Sequence, residues 1–418
     1  MLNFCFFLSL IVISFLLTRK SPLIVKLILV ISLISIHVPH IYYEIYNVEL
    51  QWNTPRRYYE KALSYILLGN IIIVLVTFFS LRIPSREQNA IIRYNNKSIW
   101  IKSYYILILI RILFYIFSQK QGYDIDQEEF NSFGLLTNIL FVFQAVCGYF
   151  FYSCIIYLLK CSNLRLFSVI VLAEFIYWAV FTGSKSAAFI YVFLALMLLI
   201  NFFPIYRRKI SVLAIIFSIC FLPFYLLQSI RRSFAILGKD VEYNDIVDGF
   251  KAVDLSKIIE NIMVRMEYTT TMAKVLEYTD SGINRFSFLD NFISTYIPRF
   301  IYPTKGWNSS FGLFISEEIL GLKNTHAAMT PYIEGYLYFG FSGLILFVLI
   351  YSAIVYVFHR IFYTSDNIFR MSFYYGSLMF VVNTSSVLGL PKAIFLYFVI
   401  LLLYYNFLRF FYKEKLTI

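Results

Sequence analysis

Two groups able to move a proton stand close together in NTHAAMTPYIEGYLYFGFSGL, Asn324 to Leu344. His326 titrates near neutrality, which suits it to accept or donate a proton. Glu334 falls about one turn into the apolar run that follows. A carboxylate at such a depth is costly unless it is paired or lines a polar cavity, so its presence points to function. Gly335, Gly340 and Gly343 in the same run fit either close helix packing or the approach of a ligand.

Cations gather upstream. IPRFIYPTKGWNSSF, Ile297 to Phe311, sets Arg299 between Pro298 and Pro303 and follows with Lys305. A guanidinium offers a planar fork that grips phosphate oxygens two at a time and stays charged at any relevant pH. Proline on either side stiffens the backbone by fixing φ, which lowers the ordering cost of binding. The competing use of Arg299 is to cap carbonyls in an interfacial turn. QSIRRSF adds Arg231 and Arg232. The tight turn in TGSKSAAF, Thr182 to Phe189, adds Lys185, which is either solvated or turned toward a ligand. Arg265 lies at the edge of a helical stripe made by Leu255, Ile258, Ile259, Ile262, Met263 and Met266 behind Asp254. Its side chain either snorkels to water or holds a cation at headgroup depth. Proton transfer beside an array of fixed cations suits a phosphorylated substrate.

Metal chemistry finds little footing. The four histidines are too scattered for a zinc motif of the HExxH type. His37, His40 and Glu44 could share a helix face as ligands, but a polar cluster at a helix end is the favoured account of them. The five cysteines (Cys5, Cys147, Cys154, Cys161 and Cys220) lie in or at the ends of apolar segments with no CxxC pair. They read as small buried apolar residues. No metal and no cofactor is expected.

What must position these groups is a membrane. The mean hydropathy of +0.72 and a charged fraction of 14% exclude an ordinary soluble domain, where about a quarter of residues are charged. A bilayer span needs roughly 17–25 mostly apolar residues. By that rule about eleven segments qualify: 2–18, 22–38, 62–81, 103–118, 134–159, 166–181, 187–203, 210–228, 332–358, 371–388 and 394–411. The first lacks a basic leader and a small-residue cleavage site, and reads as a retained span. The expected fold class is an all-α polytopic integral membrane protein.

Charge sets the orientation. With the N-terminus outside, the inner loops hold 17 basic residues against three acidic ones, and the short outer loops hold six against seven. The positive-inside rule therefore puts the C-terminus in the cytoplasm. The net charge of +12 is then a topology signal that calls for no nucleic acid. The chain divides into a bundle of about eight spans (1–227), a large extracytoplasmic loop (228–331) and about three further spans (332–418). That loop holds 11 of the 36 Lys/Arg and 12 of the 24 Asp/Glu. A connection so long is functional or disordered, and the helical periodicity at 255–266 argues against disorder. On the outer side Arg231 and Arg232 run against the positive-inside rule, which favours function. There is no ATP outside, so chemistry there draws on an activated, membrane-borne substrate. Arg111 in the fourth span and Glu174 in the sixth form either an intramembrane salt bridge or part of a transport pathway.

The order and sidedness of these pieces resemble the bacterial oligosaccharide repeat-unit polymerases, which build O-antigen and capsule. TGSKS resembles that family's TGSR-like turn, with Lys185 where arginine is usual. IPRFIYPTKGW resembles its IPR-x-x-x-P-x-KP segment, with Gly306 in place of the second proline. IEGYLYFGFSG resembles its E-x-Y-x-x-F-G-x-x-G entry into a late span, and the large outer loop falls between these elements. The resemblance implies a helical glycosyltransferase of the GT-C type in the bacterial inner membrane, its active site facing the periplasm. It implies block transfer of a growing glycan from undecaprenyl pyrophosphate to a sugar hydroxyl on a new carrier-linked unit. The partners implied are that lipid-linked oligosaccharide and the bilayer, with room for a chain-length regulator. Arg299, Arg231 or Arg232, Arg265 and Lys185 would bind the pyrophosphate, with Lys305 and Tyr336 beside them in the matched motifs. Glu334 or His326 would activate the acceptor hydroxyl, Glu334 being preferred because it belongs to a matched motif. Lysine at 185 weakens the case for a bidentate grip there.

The nearest rival is an O-antigen ligase, which transfers finished glycan to lipid A core and often carries a histidine before a late span. A flippase would use Arg111 and Glu174 as pathway charges, yet no internal repeat of the transporter kind is evident. A pure scaffold leaves the outer arginines unexplained.

Overall fold

The structure, a computed structural model, describes residues 6, 9–10, 13, 23–46, 50, 53–80, 99–120, 134–178, 185–203, 268–281, 287–297, 314–321, 330–363, 368–382 and 387–412. Among them every regular element is helical and none is a strand. In chain order these are α1 (Leu23–Ser32), a π-helical turn (Leu33–His37), α2 (Val38–Tyr46), α3 (Arg56–Ser80), α4 (Ile99–Lys120) and α5 (Gly134–Lys160). There follow α6 (Leu164–Ile176), α7 (Lys185–Phe202), α8 (Thr269–Asp280), α9 (Phe288–Tyr296) and a second π-helical turn (Ile315–Ile319). The last three helices are α10 (Pro331–Phe362), α11 (Ile368–Val382) and α12 (Gly389–Tyr412). Of the apolar segments read from sequence, the second to the seventh and the ninth to the eleventh fall on helix over most of their described residues. The eighth lies outside the described residues, as does most of the first. Among the described residues three stretches, Ile24–Ile45, Arg56–Val76 and Pro331–Phe362, are long and apolar enough to cross a membrane.

Local chemistry explains the breaks. Pro39 has no N–H to give the carbonyl four residues back, and its ring crowds that carbonyl. The chain widens there into the π turn, closed by Val38 N–H on the Leu33 carbonyl. Asn53, left-handed at φ 49°, leads into Pro55, whose carbonyl takes the N–H groups of Tyr58 and Tyr59 as α3 begins. Between α5 and α6, Ser162 adopts φ 56°. Asn163 then caps α6, its side-chain oxygen accepting from Leu166 N–H at 3.2 Å.

α10 departs from the sequence reading. Residues 332–358 read as one continuous span, but Gly340 sits at φ 66°, ψ −146° and splits the helix into two arms. That region of backbone space is essentially open to glycine alone. The arms fold against one another. A Cβ on Gly335 would overlap the Gly343 carbonyl oxygen, and one on Gly343 would overlap that of Gly335. In a straight helix these residues would stand about 12 Å apart along the axis. Gly335 and Gly343 thus serve close helix packing, and Gly340 makes the break between the arms.

The chain forms two compact units, one of Met1–Ser85, Leu255–Ile361 and Ser377–Leu396, the other of Arg86–Asp254, Phe362–Gly376 and Tyr397–Ile418. In the first, α1 and α8 pack on α3, and α8 also meets the turn Ile315–Ile319. α8 lies in the segment read as an outer loop, yet Thr269, Thr270, Thr271, Met272, Ala273, Val275 and Leu276 are all buried. A polar thread joins three helices of this unit: Asn70 donates to Ser32 Oγ, and Tyr332 Oη donates to Asn70 Oδ1 at 3.5 Å. His37 and His40 form a polar cluster. The His37 ring nitrogens face Ser9 Oγ at 2.7 Å and the Ser32 carbonyl at 3.4 Å, and His40 Nδ1 faces Tyr59 Oη at 3.3 Å. Glu44 turns instead to Arg56, at 2.8 Å.

In the second unit α4 packs on α5, α5 on α6 and α7, and α6 on α7. Its polar centre is Arg111 of α4 with Glu174 of α6, at 2.9 Å and both fully buried. For these two residues the salt bridge of the sequence reading is present.

Candidate functional site

Glu334 gathers the most chemistry. Thr330 caps the first arm of α10, its Oγ1 accepting from Ile333 N–H at 3.4 Å, and Pro331 occupies the first helical position, where no N–H is needed. This start places Glu334 on the buried side of the arm, 0% exposed. Tyr332, two residues earlier, drops into the notch left by Gly69 of α3, where an added Cβ would come within 2.6 Å of its ring. The arm is pinned through Tyr332 on one side and by the folded-back second arm on the other.

The Glu334 carboxylate meets the residues that start α12. Val387 N–H donates to Oε2 at 2.5 Å. From the same short segment, the Leu388 carbonyl accepts from Tyr296 Oη at 2.6 Å. Lys392 Nζ donates to the Thr295 carbonyl at 2.6 Å. Residues 387–392 thus hold the carboxylate with one amide and the end of α9 with two side-chain contacts. α12 can start here because Gly389 and Pro391 fall in its first turn, where proline costs no hydrogen bond. Burial, and after it the charge of Glu334, raises the Tyr296 phenol above its usual range. It therefore stays a neutral donor at physiological pH.

α9 is held from its other side by aromatics. Phe288 packs edge-on to Tyr338 with centroids 5.4 Å apart and touches Phe339 at 5.4 Å and Phe347 at 6.4 Å. One short helix therefore bridges both arms of α10 around the Gly340 break.

Tyr336 is half-buried and faces elsewhere. Its ring lies 6.0 Å from Tyr65 of α3, two residues and about 200° round the helix from Glu334. Lys185 opens α7 in the second unit. Arg231, Arg232, Arg265, Arg299, Lys305 and His326 lie outside the described residues, as does the stripe at 255–266. Tyr296 and Lys392 join Glu334 without having been singled out from sequence. A signal for Lys392 was present, since the charge distribution of the sequence reads it as an outer lysine at the mouth of the last span, against the positive-inside rule, as it reads Arg231 and Arg232.

Among the described residues no group of three or more His, Cys, Asp or Glu could hold a metal ion. No family model, curated protein or solved structure matches this chain.

Proposed function

We propose that the protein polymerises undecaprenyl-pyrophosphate-linked oligosaccharide repeat units into a surface polysaccharide, with Glu334 as the base. The chain would cross the bacterial inner membrane about eleven times in a GT-C arrangement, N-terminus outside, C-terminus in the cytoplasm and site facing the periplasm. The observation that carries the reading is Glu334 itself, a fully buried carboxylate aimed by a main-chain amide at 2.5 Å, inside the motif that resembles the polymerases.

In the reaction Glu334 takes the proton of the acceptor sugar's hydroxyl as that oxygen attacks the anomeric carbon of the donor glycan. The bond from that carbon to the pyrophosphate oxygen breaks, and undecaprenyl pyrophosphate leaves with the bonding pair. Cations meet the charge that grows on the leaving group, which is where preorganised charge accelerates a reaction most. Arg299 is the first of these. It follows Tyr296 by three residues in the sequence. Arg231, Arg232, Arg265, Lys185 and Lys305 are the further candidates. The chemistry needs neither metal nor nucleotide sugar.

The test is the glycan profile of a deletion strain. Single repeat units on the lipid core support the polymerase. Long chains retained on undecaprenyl pyrophosphate would mean a ligase, and lipid-linked units trapped on the cytoplasmic leaflet a flippase. In the complemented strain, Arg299→Ala is expected to abolish polymer while the protein inserts and accumulates normally. Full-length glycan from that variant overturns the assignment of Arg299.

A further inference from the structure

α9 is closed on one face and open on the other. Phe288 is committed to α10, whereas Leu289, Phe292 and Tyr296, one face at i, i+3 and i+7, are 63%, 42% and 37% exposed. Phe288 reaches Phe347 in the second arm of α10, so α9 lies against a stretch apolar enough to cross a membrane. At its end the Thr295 carbonyl accepts from Lys392. Lys392 shares a face of α12 with Phe395 and Leu396, themselves 67% and 47% exposed. Two open apolar faces therefore meet at one ammonium. That ammonium has three N–H donors, is exposed, and gives one of them to Thr295.

We propose that this surface binds the polyprenyl phosphate part of the donor, with phosphate on Lys392 and the isoprenoid chain over the open faces of α9 and α12. The proposal rests on the polymerase reading for the identity of the lipid. An anionic amphiphile matches a cation set between apolar faces in both charge and polarity. The link to Glu334 favours the substrate over a bulk phospholipid. The segment that carries Lys392 also gives Glu334 its amide, so a phosphate held at Lys392 is tied to the carboxylate that would take the proton.

The test uses the full chain in nanodiscs of phosphatidylethanolamine and phosphatidylglycerol doped with a small mole fraction of undecaprenyl phosphate. A photoreactive p-benzoylphenylalanine replaces Phe292 in one sample and Phe395 in another, and adducts are identified by mass spectrometry. Undecaprenyl phosphate is expected among the adducts above its share of the bilayer at both positions. K392Q keeps a donor for Thr295 but loses the charge, and should cut that enrichment about five- to tenfold, while K392R should preserve it. Adducts that follow bilayer composition and ignore K392Q would make the surface merely lipid-facing and overturn the proposal. Equal enrichment of phosphatidylglycerol would do the same, as would no lipid adduct at either position. Binding needs no turnover, so this outcome is separate from the glycan profile that tests the polymerase reading.

Discussion

Glu174 and Glu334 are both fully buried, and the two units treat them differently. Glu174 is surrounded by side chains: Arg111 Nη1 reaches its oxygens at 2.9 and 3.2 Å, and Tyr104 Oη and Trp178 Nε1 each donate at 2.9 Å. The guanidinium in turn lies 3.9 Å over the Tyr177 ring and 5.1 Å from that of Trp178. The oxygens of this carboxylate are engaged from several directions. Glu334 is aimed by the main chain, through Val387 N–H, and its neighbourhood is a phenol, a helix broken at glycine and an exposed face. A charge neutralised by a dedicated cation holds helices together. The carboxylate aimed by a main-chain amide is the one to which the proposed function gives proton transfer. Burial alone does not distinguish the two; among the contacts described, a guanidinium meets one and a main-chain amide the other.

The comparison breaks most sharply at the carboxylates themselves. E334Q keeps the shape and removes the base, so polymer formation should fall about 10²–10⁴-fold with membrane accumulation unchanged. The check is polymer formed per unit of protein in a reconstituted assay. If E334Q fails to accumulate, as E174Q should, then both glutamates are structural and the distinction is gone. R111M or E174Q alone strands one charge in the interior, at about 3–5 kcal/mol, read as low accumulation and a lowered Tm in detergent. R111M with E174L together should recover most of that loss, because replacing both members of a buried pair is often close to neutral. A double variant that accumulates yet makes no polymer would give the pair a direct part in function.

How much of this was open to sequence follows from the range of the contacts. The apolar segments, the unusual Glu334 and the pairing of Arg111 with Glu174 rest on local pattern or on charge in an apolar run, and all were legible. The fold-back at Gly340 was not. Apolar residues continue across it, and glycines are ordinary in membrane helices, so hydropathy gives one span. The bracket around Glu334 was hidden for a different reason. Its contacts join residues 92 and 97 positions apart, and no periodicity records such a meeting. α8 shows a third limit. Its threonines and charged end look like loop, and only packing against α3 makes it a buried helix.

Gly340 carries the next smaller effect. Gly340→Ala forces a side chain into a backbone region that glycine alone tolerates, at about 1–3 kcal/mol. The first arm should shift away from the start of α12 and take Glu334 off the Val387 amide, so activity is expected to fall further than the loss of Tm alone implies. Gly376→Ala in the other unit, where a Cβ would meet the Tyr149 ring at 2.6 Å, should cost stability and leave activity per folded molecule intact. Equal losses of specific activity at both positions would mean that the Gly340 fold-back has no special link to Glu334.

The finest test is Y296F. It removes the donor to the Leu388 carbonyl, a neutral hydrogen bond worth about 1 kcal/mol, and less here because the phenol is partly exposed. Polymer formation should drop only a few-fold if Tyr296 serves to hold α9 against α12. Its sign with pH separates that role from proton transfer. Burial and the Glu334 charge raise the phenol's pKa, so the neutral donor is fully present below about pH 10 and is lost only as pH rises beyond that. The ratio of wild-type to Y296F activity should therefore stay constant from about pH 6 to about pH 9, and any titration shared by both proteins belongs to another group. A ratio that changes within that window would make Tyr296 a proton carrier, and the site would then rest on a carboxylate–phenol pair in place of Glu334 alone.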